Sequence, residues 1–166
     1  MAAEREDLFD RVTIRMLQVR DLVAIEKIER DSYATPWSRS MFAGELSKPT
    51  SVCLGAYEED SGELIGYLIV SRYVDAWHVM NVAVELSRRR GGIATALLER
   101  LFDVTASDGR RGYTLEVRVS NRGAIELYQR LGFQPRGIRR GYYTDNREDA
   151  LIMWRDPVAD RVDTRR

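Results

Sequence analysis

The chain has 166 residues, which is enough to bury one hydrophobic core and short for two independent domains. Its 26 Lys and Arg residues balance 26 Asp and Glu residues, so the overall charge gives no reason to expect a nucleic-acid partner. Cys53 is the only cysteine, which excludes an intrachain disulfide and fits a reducing compartment.

The start of the chain predicts one strand and one helix. Apolar and polar residues alternate over 12–16, which is typical of a half-buried strand. Asp21 is expected to cap the helix that follows, and Leu22, Ile25 and Ile28 to face inward. Glu26 and Arg30 are spaced as an i,i+4 ion pair on the outer face.

Helix-breaking, capping and turn residues then separate a second helix and three strands. Pro36 ends the first helix and Ser38 can cap the second. Trp37 lies in the loop between them, where it either lines a substrate groove or anchors the loop on the core. Strands are predicted at 51–57, 64–74 and 77–84, with a hairpin turn before the second. Cys53, inside the first of these strands, is expected to be a buried, inert thiol.

The run from Arg88 to Thr95, RRRGGIAT, follows the third of these strands and opens a strongly periodic helix predicted over 92–108. A glycine turn at a helix N-terminus presents unpaired N–H groups and the positive end of the helix dipole, which suits a phosphate. The same pattern also fits an ordinary strand–turn–helix corner with solvated arginines. The P-loop and dinucleotide glycine patterns are both absent.

The second half predicts a parallel crossover followed by three further elements. A strand at 113–119 follows the periodic helix, so it should run parallel to the strand before that helix. Ser120 or Asn121 caps the next helix, which Gly132 ends. Strands are expected at 133–140 and 149–154. We therefore expect one domain over 12–156, with polar tails at 1–11 and 157–166.

Several separate motifs resemble one family. The sequence Arg89-x-x-Gly92-x-Ala94 is similar to the [QR]-x-x-G-x-[GA] signature of the GNAT acetyltransferase superfamily. LEVRVSN from Leu115 and the loop motif GYY from Gly141 resemble its RimI/Ard-type branch, which acetylates protein N-termini. The resemblance covers residues 12–154. It implies an α/β (α+β) GNAT fold: a mixed central sheet of about seven strands, about four helices, and a β-α-β core that binds acetyl-CoA.

The resemblance also implies roles for individual residues. Glu116 would be the general base and Tyr128 the general acid. The residues implied to bind the cofactor are Arg90, Gly91, Gly92, Ile93, Ala94 and Thr95 at the pyrophosphate, Val82, Ala83 and Val84 along the pantetheine arm, and Asn121 near the thioester. Those expected on the substrate side are Tyr142 and Tyr143, with His78 as a holder of a relay water and Trp37 in its loop. No metal is expected.

Each of these side chains also has a simpler interpretation. Glu116 could be a solvated carboxylate paired with Arg118, and Tyr128 a packed core tyrosine. His78 could be a partly exposed structural histidine, and the Tyr142–Tyr143 pair could serve only to fold its loop. If Glu116 is the base, burial should raise its pKa from the ordinary value near 4.3.

The chemistry of the amine favours an N-terminus as substrate. An α-amine has a pKa of about 7.7–8.0 and Lys about 10.4, so neutralising Lys at pH 7 costs roughly 3 kcal/mol more. The expected reaction is direct transfer from acetyl-CoA to a protein N-terminus. The RimI-type resemblance implies the N-terminal alanine of a small-subunit ribosomal protein. The alternatives are acetylation of Lys side chains or small amines, or a non-catalytic acyl-CoA- or RNA-binding module, for which Arg136, Arg139 and Arg140 are the local hint. We expect a cytoplasmic monomer or weak homodimer without nucleic-acid or membrane partners.

Overall fold

The computed structural model describes residues 11–108 and 111–157, and the predicted polar tails fall almost wholly outside these ranges. Within them, seven strands form one mixed sheet in the order β1-β2-β3-β4-β5-β7-β6. The strands are β1 (Val12–Met16), β2 (Ser51–Glu58), β3 (Leu64–Arg72), β4 (Ala76–Val84), β5 (Gly112–Arg118), β6 (Gln134–Arg139) and β7 (Ala150–Arg155). The four α-helices are α1 (Leu22–Ser32), α2 (Arg39–Ser47), α3 (Ile93–Val104) and α4 (Arg122–Arg130).

The described residues divide into two compact units that interleave along the chain. The first comprises 11–71 and 80–102, and the second 72–79, 103–108 and 111–157. In the first unit β2 pairs antiparallel with β1 and β3. The apolar faces of α1 and α2 and the inner faces of these strands form its core, whose most buried members are Ile25, Phe42, Tyr67 and Ile69.

In the second unit the start of β4 pairs parallel with β5, from Ala76–Gly112 to His78–Thr114, as the crossover predicts. β7 lies antiparallel between β5 and β6, and it pairs Ile152 with Glu116. The alternation along β5 buries Tyr113, Leu115 and Val117 on one face. Glu116 and Arg118 consequently share the opposite face, which is where the candidate chemistry lies.

Some local expectations are confirmed and others are wrong. Ser38 and Asn121 cap α2 and α4 by accepting from Met41 N and Ala124 N. Asp21 does not cap α1 with its side chain, because its carboxylate accepts instead from Gln18 N and the Tyr57 hydroxyl. Arg30, the predicted partner of Glu26, contributes an attractive charge, but another arginine forms the ion pair.

Arg39, at the start of α2, forms the ion pair with Glu26 at 2.6 Å, although Arg30 adds an attractive charge. α3 ends at Val104 rather than near 108, and β3 ends at Arg72 rather than 74. No helix in the described ranges is long and apolar enough to cross a membrane.

Candidate active site

The glycine turn between β4 and α3 has an unusual backbone. Arg90 has φ 65° and Gly92 has φ 80°, whereas Arg89 before them is extended. The left-handed position before Gly92 thus falls on Arg90 rather than on Gly91. Turns with left-handed residues can present successive N–H groups to one side, as in the nests that bind anions.

The glycine turn leads directly into the N-terminus of α3. Ala96 N donates to Gly92 O at 3.0 Å, which is the first backbone bond of the helix. Among the described residues, no backbone carbonyl accepts from the N–H groups of residues 90–95. These donors, together with the positive end of the helix dipole, fit a phosphate or pyrophosphate group.

The three arginines of the turn have different roles. Arg88 forms an ion pair with Glu58. Arg89, the first residue of the signature, turns back on its own unit: its guanidinium donates to Val84 O and Ser32 Oγ, each at 3.0 Å. Only the exposed Arg90 has no ion-pair or hydrogen-bond partner among the described residues. Arg89 therefore braces the turn, and Arg90 is the arginine left to meet an anion.

Side chains also hold the backbone at the end of β4. The Tyr33 hydroxyl donates to Val82 O, and Arg89 holds Val84 O. Ala83 between them is buried. The backbone proposed for the pantetheine arm is therefore fixed within the first unit by side chains of α1, of the residue after it and of the glycine turn.

A buried carboxylate that sequence reasoning missed ties the first unit together. Glu29 is 1% exposed and accepts from Asn81 Nδ2 at 2.9 Å, from Trp37 N at 3.1 Å and from the Tyr67 hydroxyl. The available signal was its position: it follows Leu22 by seven residues and so lies on the inward face of α1. We call these four residues the Glu29 cluster.

Trp37 behaves as a loop anchor in this structure. Its ring packs against Phe42 with centroids 5.1 Å apart, and it is partly buried on the core of the first unit. This matches the simpler of its two interpretations, and a substrate contact for Trp37 stays a prediction. Cys53 is buried, and burial raises the pKa of its thiol to about 12, as expected for an inert cysteine.

Glu116 lies at the centre of a polar cluster in the second unit. Its Oε2 is 2.7 Å from His78 Nε2, and its Oε1 is 3.3 Å from Arg139 Nε. The Glu116 side chain is 11% exposed. The predicted alternative of pairing with Arg118 is wrong, because Arg118 binds Asp145 and Glu148 instead.

His78 and Arg139 together lower the pKa of Glu116. The hydrogen bond from His78 and the nearby Arg139 charge hold the pKa of Glu116 below its usual value, although burial acts in the opposite direction. Burial does act in the expected direction, but the net shift is downward, so the expectation of a raised pKa is wrong. His78 contacts Glu116 directly, without a water between them, and its role as the holder of a relay water stays a prediction.

Tyr128, on α4, is 6% exposed and packs edge-on against Phe133 with centroids 5.8 Å apart. Burial, with a smaller contribution from Tyr143, raises the pKa of its hydroxyl to about 12. Among the described residues, no group forms a hydrogen bond with that hydroxyl, so packing does not use its proton. Asn121, in contrast, accepts from Ala124 N at 3.2 Å, and this oxygen serves the helix cap.

Tyr142 and Tyr143 lie on the loop over 140–149 between β6 and β7, which we call the tyrosine loop. Their rings meet edge to face at 5.2 Å. Arg139 lies 5.9 Å over the Tyr142 ring, and Tyr142 is 47% exposed. Glu116, Arg139 and the two tyrosines therefore form one chain of contacts in the second unit.

Comparison with known proteins agrees with this arrangement. The Acetyltransferase (GNAT) family matches residues 21–133. The chain is 40% identical over 143 residues to the [ribosomal protein bS18]-alanine N-acetyltransferase of Escherichia coli K12, covering 85% of this chain and 95% of that protein. It is 35% identical to the putative enzyme of the same name from Bacillus subtilis strain 168, with 87% and 95% covered.

A solved structure gives the same result for the fold. The crystal structure of the ribosomal-protein-S18-alanine N-acetyltransferase from Escherichia coli superposes with a TM-score of 0.80 at 37% identity. The alignment covers 88% of this chain and 94% of that chain.

Proposed function

The chain belongs to the GNAT family of acetyltransferases, and we propose that it acetylates the α-amine at the N-terminus of a protein, with acetyl-CoA as donor. The RimI/Ard-type resemblance of the sequence agrees with the names of its relatives, which act on the N-terminal alanine of a ribosomal protein. We extend that substrate class, a protein beginning with a small residue, to this chain. The supporting observation is Glu116, an ionised carboxylate held between His78 and Arg139.

The glycine turn fits the cofactor chemically. Residues 90–95 supply backbone N–H groups and Arg90 supplies a positive charge, as a pyrophosphate requires. Val82, Ala83 and Val84 would carry the pantetheine arm along β4, with Asn121 near the thioester. Acetyl-CoA supplies an activated thioester, whose carbonyl carbon the amine attacks.

Glu116 would take the proton that the α-amine loses. A carboxylate with a lowered pKa is a weak base, but the nitrogen becomes strongly acidic once it has bonded to carbon, so a weak, permanently ionised acceptor suffices late in the step. His78 and Arg139 keep the carboxylate in that form and fix its orientation. An α-amine, with a pKa of about 7.7–8.0, needs less help than Lys to reach the neutral state.

Tyr128 would donate a proton to the departing thiolate. The phenol stays protonated at neutral pH, as a general acid requires, but its pKa, raised to about 12, makes it a weaker donor than an ordinary tyrosine, so the role rests on the position of the hydroxyl. The position of its hydroxyl, without a hydrogen-bond partner in the described protein, supports this role over simple packing.

Lys or small-amine acetylation would use the same residues, so a peptide panel separates the possibilities. Short peptides that begin with alanine, serine or methionine are incubated with acetyl-CoA and followed by mass spectrometry. The matched controls carry a blocked α-amine and an internal Lys. We expect mass gain only on free α-amines; gain on the blocked peptides would identify a Lys acetyltransferase, and no gain on any peptide would refute the proposal.

The RNA-binding alternative receives less support. One of the three arginines behind it, Arg139, is committed to Glu116 and Tyr142, and Arg136 lies 4.9 Å over the Trp154 ring. RNA retardation that persisted at physiological salt would favour that alternative.

A further inference from the structure

Arg118 on β5 is surrounded by groups of the tyrosine loop. Its guanidinium contacts both carboxylate oxygens of Asp145, at 3.0 and 2.9 Å, and Asn146 Oδ1 at 3.1 Å. It also reaches Glu148 Oε1 at 3.4 Å and lies 3.9 Å over the Tyr143 ring. One side chain thus holds four residues of one loop.

These ion pairs are partly buried and depend on the shape of the guanidinium group, unlike a fully exposed surface ion pair. Arg118 is 29% exposed, Asp145 27% and Glu148 14%. Nη2 donates to both oxygens of Asp145 while Nη1 donates to Asn146 and Glu148, so contacts at two nitrogens fix the guanidinium plane, and the Tyr143 ring lies against that plane. Lys could replace the charge but neither the second donor nitrogen nor the stacking surface.

A series of contacts connects the tyrosines of the loop to Glu116. Tyr143 meets Tyr142, Tyr142 lies under Arg139, and Arg139 contacts Glu116. Arg118 is two residues along β5 from Glu116, on the same face of the strand. The contacts therefore close a ring that begins and ends on adjacent outward positions of β5.

We propose that Arg118 is a positioning residue for the peptide substrate: it fixes the tyrosine loop so that Tyr142 and Tyr143 contact the residues that follow the acetylated amine. This inference rests on the proposed function, because it takes Glu116 as the point where the amine arrives. An amine near Glu116 brings the attached chain beside the half-exposed Tyr142 ring. A loop set in place before binding lowers the ordering cost of that contact.

The proposal separates substrate binding from chemistry. Arg118→Gln removes the ion pair and the stacking plane without touching Glu116, His78 or the glycine turn. We expect the peptide KM to rise about five- to tenfold, which corresponds to the loss of a partly exposed ion pair and its stacking contact. The turnover number at saturating peptide and the acetyl-CoA Kd should stay within about twofold of wild type.

The experiment compares Arg118→Gln, Arg118→Lys and Asp145→Asn with Arg136→Gln. The last is a matched control, since Arg136 also stacks on an aromatic ring in the second unit but not on the tyrosine loop. Steady-state kinetics use a peptide that begins with alanine, and hydrogen exchange of residues 141–148 reports loop order in the absence of peptide. Arg118→Lys should raise the peptide KM less than Arg118→Gln does. Asp145→Asn should also raise the peptide KM, and its effect combined with Arg118→Gln should be less than additive.

The outcomes distinguish this proposal from the proposed function. Faster exchange of the loop with a raised peptide KM supports the anchor. Faster exchange with unchanged KM, or a fall in turnover number alone, overturns it while leaving N-terminal acetylation in place. A wild-type protein that acetylates no free α-amine overturns the proposed function and, with it, this role of Arg118.

Discussion

Replacing Glu29 by alanine should destabilise the first unit strongly, because Glu29 is the acceptor that the other three members of the Glu29 cluster share. The substitution leaves the Tyr67 hydroxyl and Asn81 Nδ2, both on buried residues, without their carboxylate. An orphaned buried donor costs about 1–3 kcal/mol. The half-buried Trp37 N–H can turn to water and adds little.

These contributions sum to roughly 2–6 kcal/mol, and removing a buried polar group offsets part of that cost. We take about 3 kcal/mol as the expected loss. For a chain of this length each kcal/mol shifts Tm by about 2–4 °C, so Tm should fall by roughly 6–12 °C. Glu29→Gln keeps one acceptor oxygen and should lose about half as much.

Differential scanning calorimetry on the two variants and wild type measures this directly. Glu26→Ala is the matched control, since Glu26 lies on the same helix but its ion pair with Arg39 is exposed. That variant should melt close to wild type. If Glu29→Ala also melted within about 2 °C of wild type, the cluster would not be organising the first unit and the reasoning would fail.

Three further substitutions or treatments test other parts of the site. His78→Leu removes the main group that lowers the pKa of Glu116, so the acidic limb of kcat/KM should move to higher pH; an unmoved limb would separate His78 from the base. Gly92→Ala forces a left-handed alanine, at about 1–2 kcal/mol, and should weaken acetyl-CoA binding in calorimetry, whereas Gly123→Ala, with open space around it on α4, should not. Cys53 should resist alkylation by iodoacetamide in the native protein and react after unfolding, because burial keeps the thiol protonated; rapid native labelling would contradict its burial.

Local patterns in the sequence predict most of the secondary structure. Alternation places the strands, apolar spacing places the helices, and the caps at Ser38 and Asn121 follow from residue type. The glycine signature likewise marks the turn before α3. These signals act over a few neighbouring residues, so a single sequence contains them fully.

The partners of the polar side chains are much harder to predict. His78 and Glu116 are 38 residues apart, and Glu29 and Asn81 are 52 apart. Such pairs depend on strand order and register, which no local pattern specifies. For the same reason the alternative Glu116–Arg118 pair is wrong: both residues lie on one face of β5, but β4 and β6 supply the partners of Glu116 and the tyrosine loop supplies those of Arg118.

The direction of the Glu116 pKa follows the same logic. Burial alone predicts a raised pKa, and only the fold reveals the His78 hydrogen bond and the Arg139 charge that lower it. Because the folded pKa lies below the unfolded one, this carboxylate contributes stability above the unfolded pKa and loses it as pH falls through the folded pKa. The contacts of Glu116 with His78 and Arg139 therefore stabilise the protein throughout the neutral pH range in which Glu116 would act.

The role of Glu116 is tested most directly by comparing Glu116→Gln with wild type at pH 7 and pH 9, on a peptide with a free N-terminal alanine. At pH 9 the α-amine is already mostly neutral and solvent accepts its proton more readily, so loss of the carboxylate should matter less. The account predicts a much larger fall in kcat/KM at pH 7 than at pH 9, with acetyl-CoA affinity unchanged. An equal fall at both pH values would contradict Glu116 as the proton acceptor.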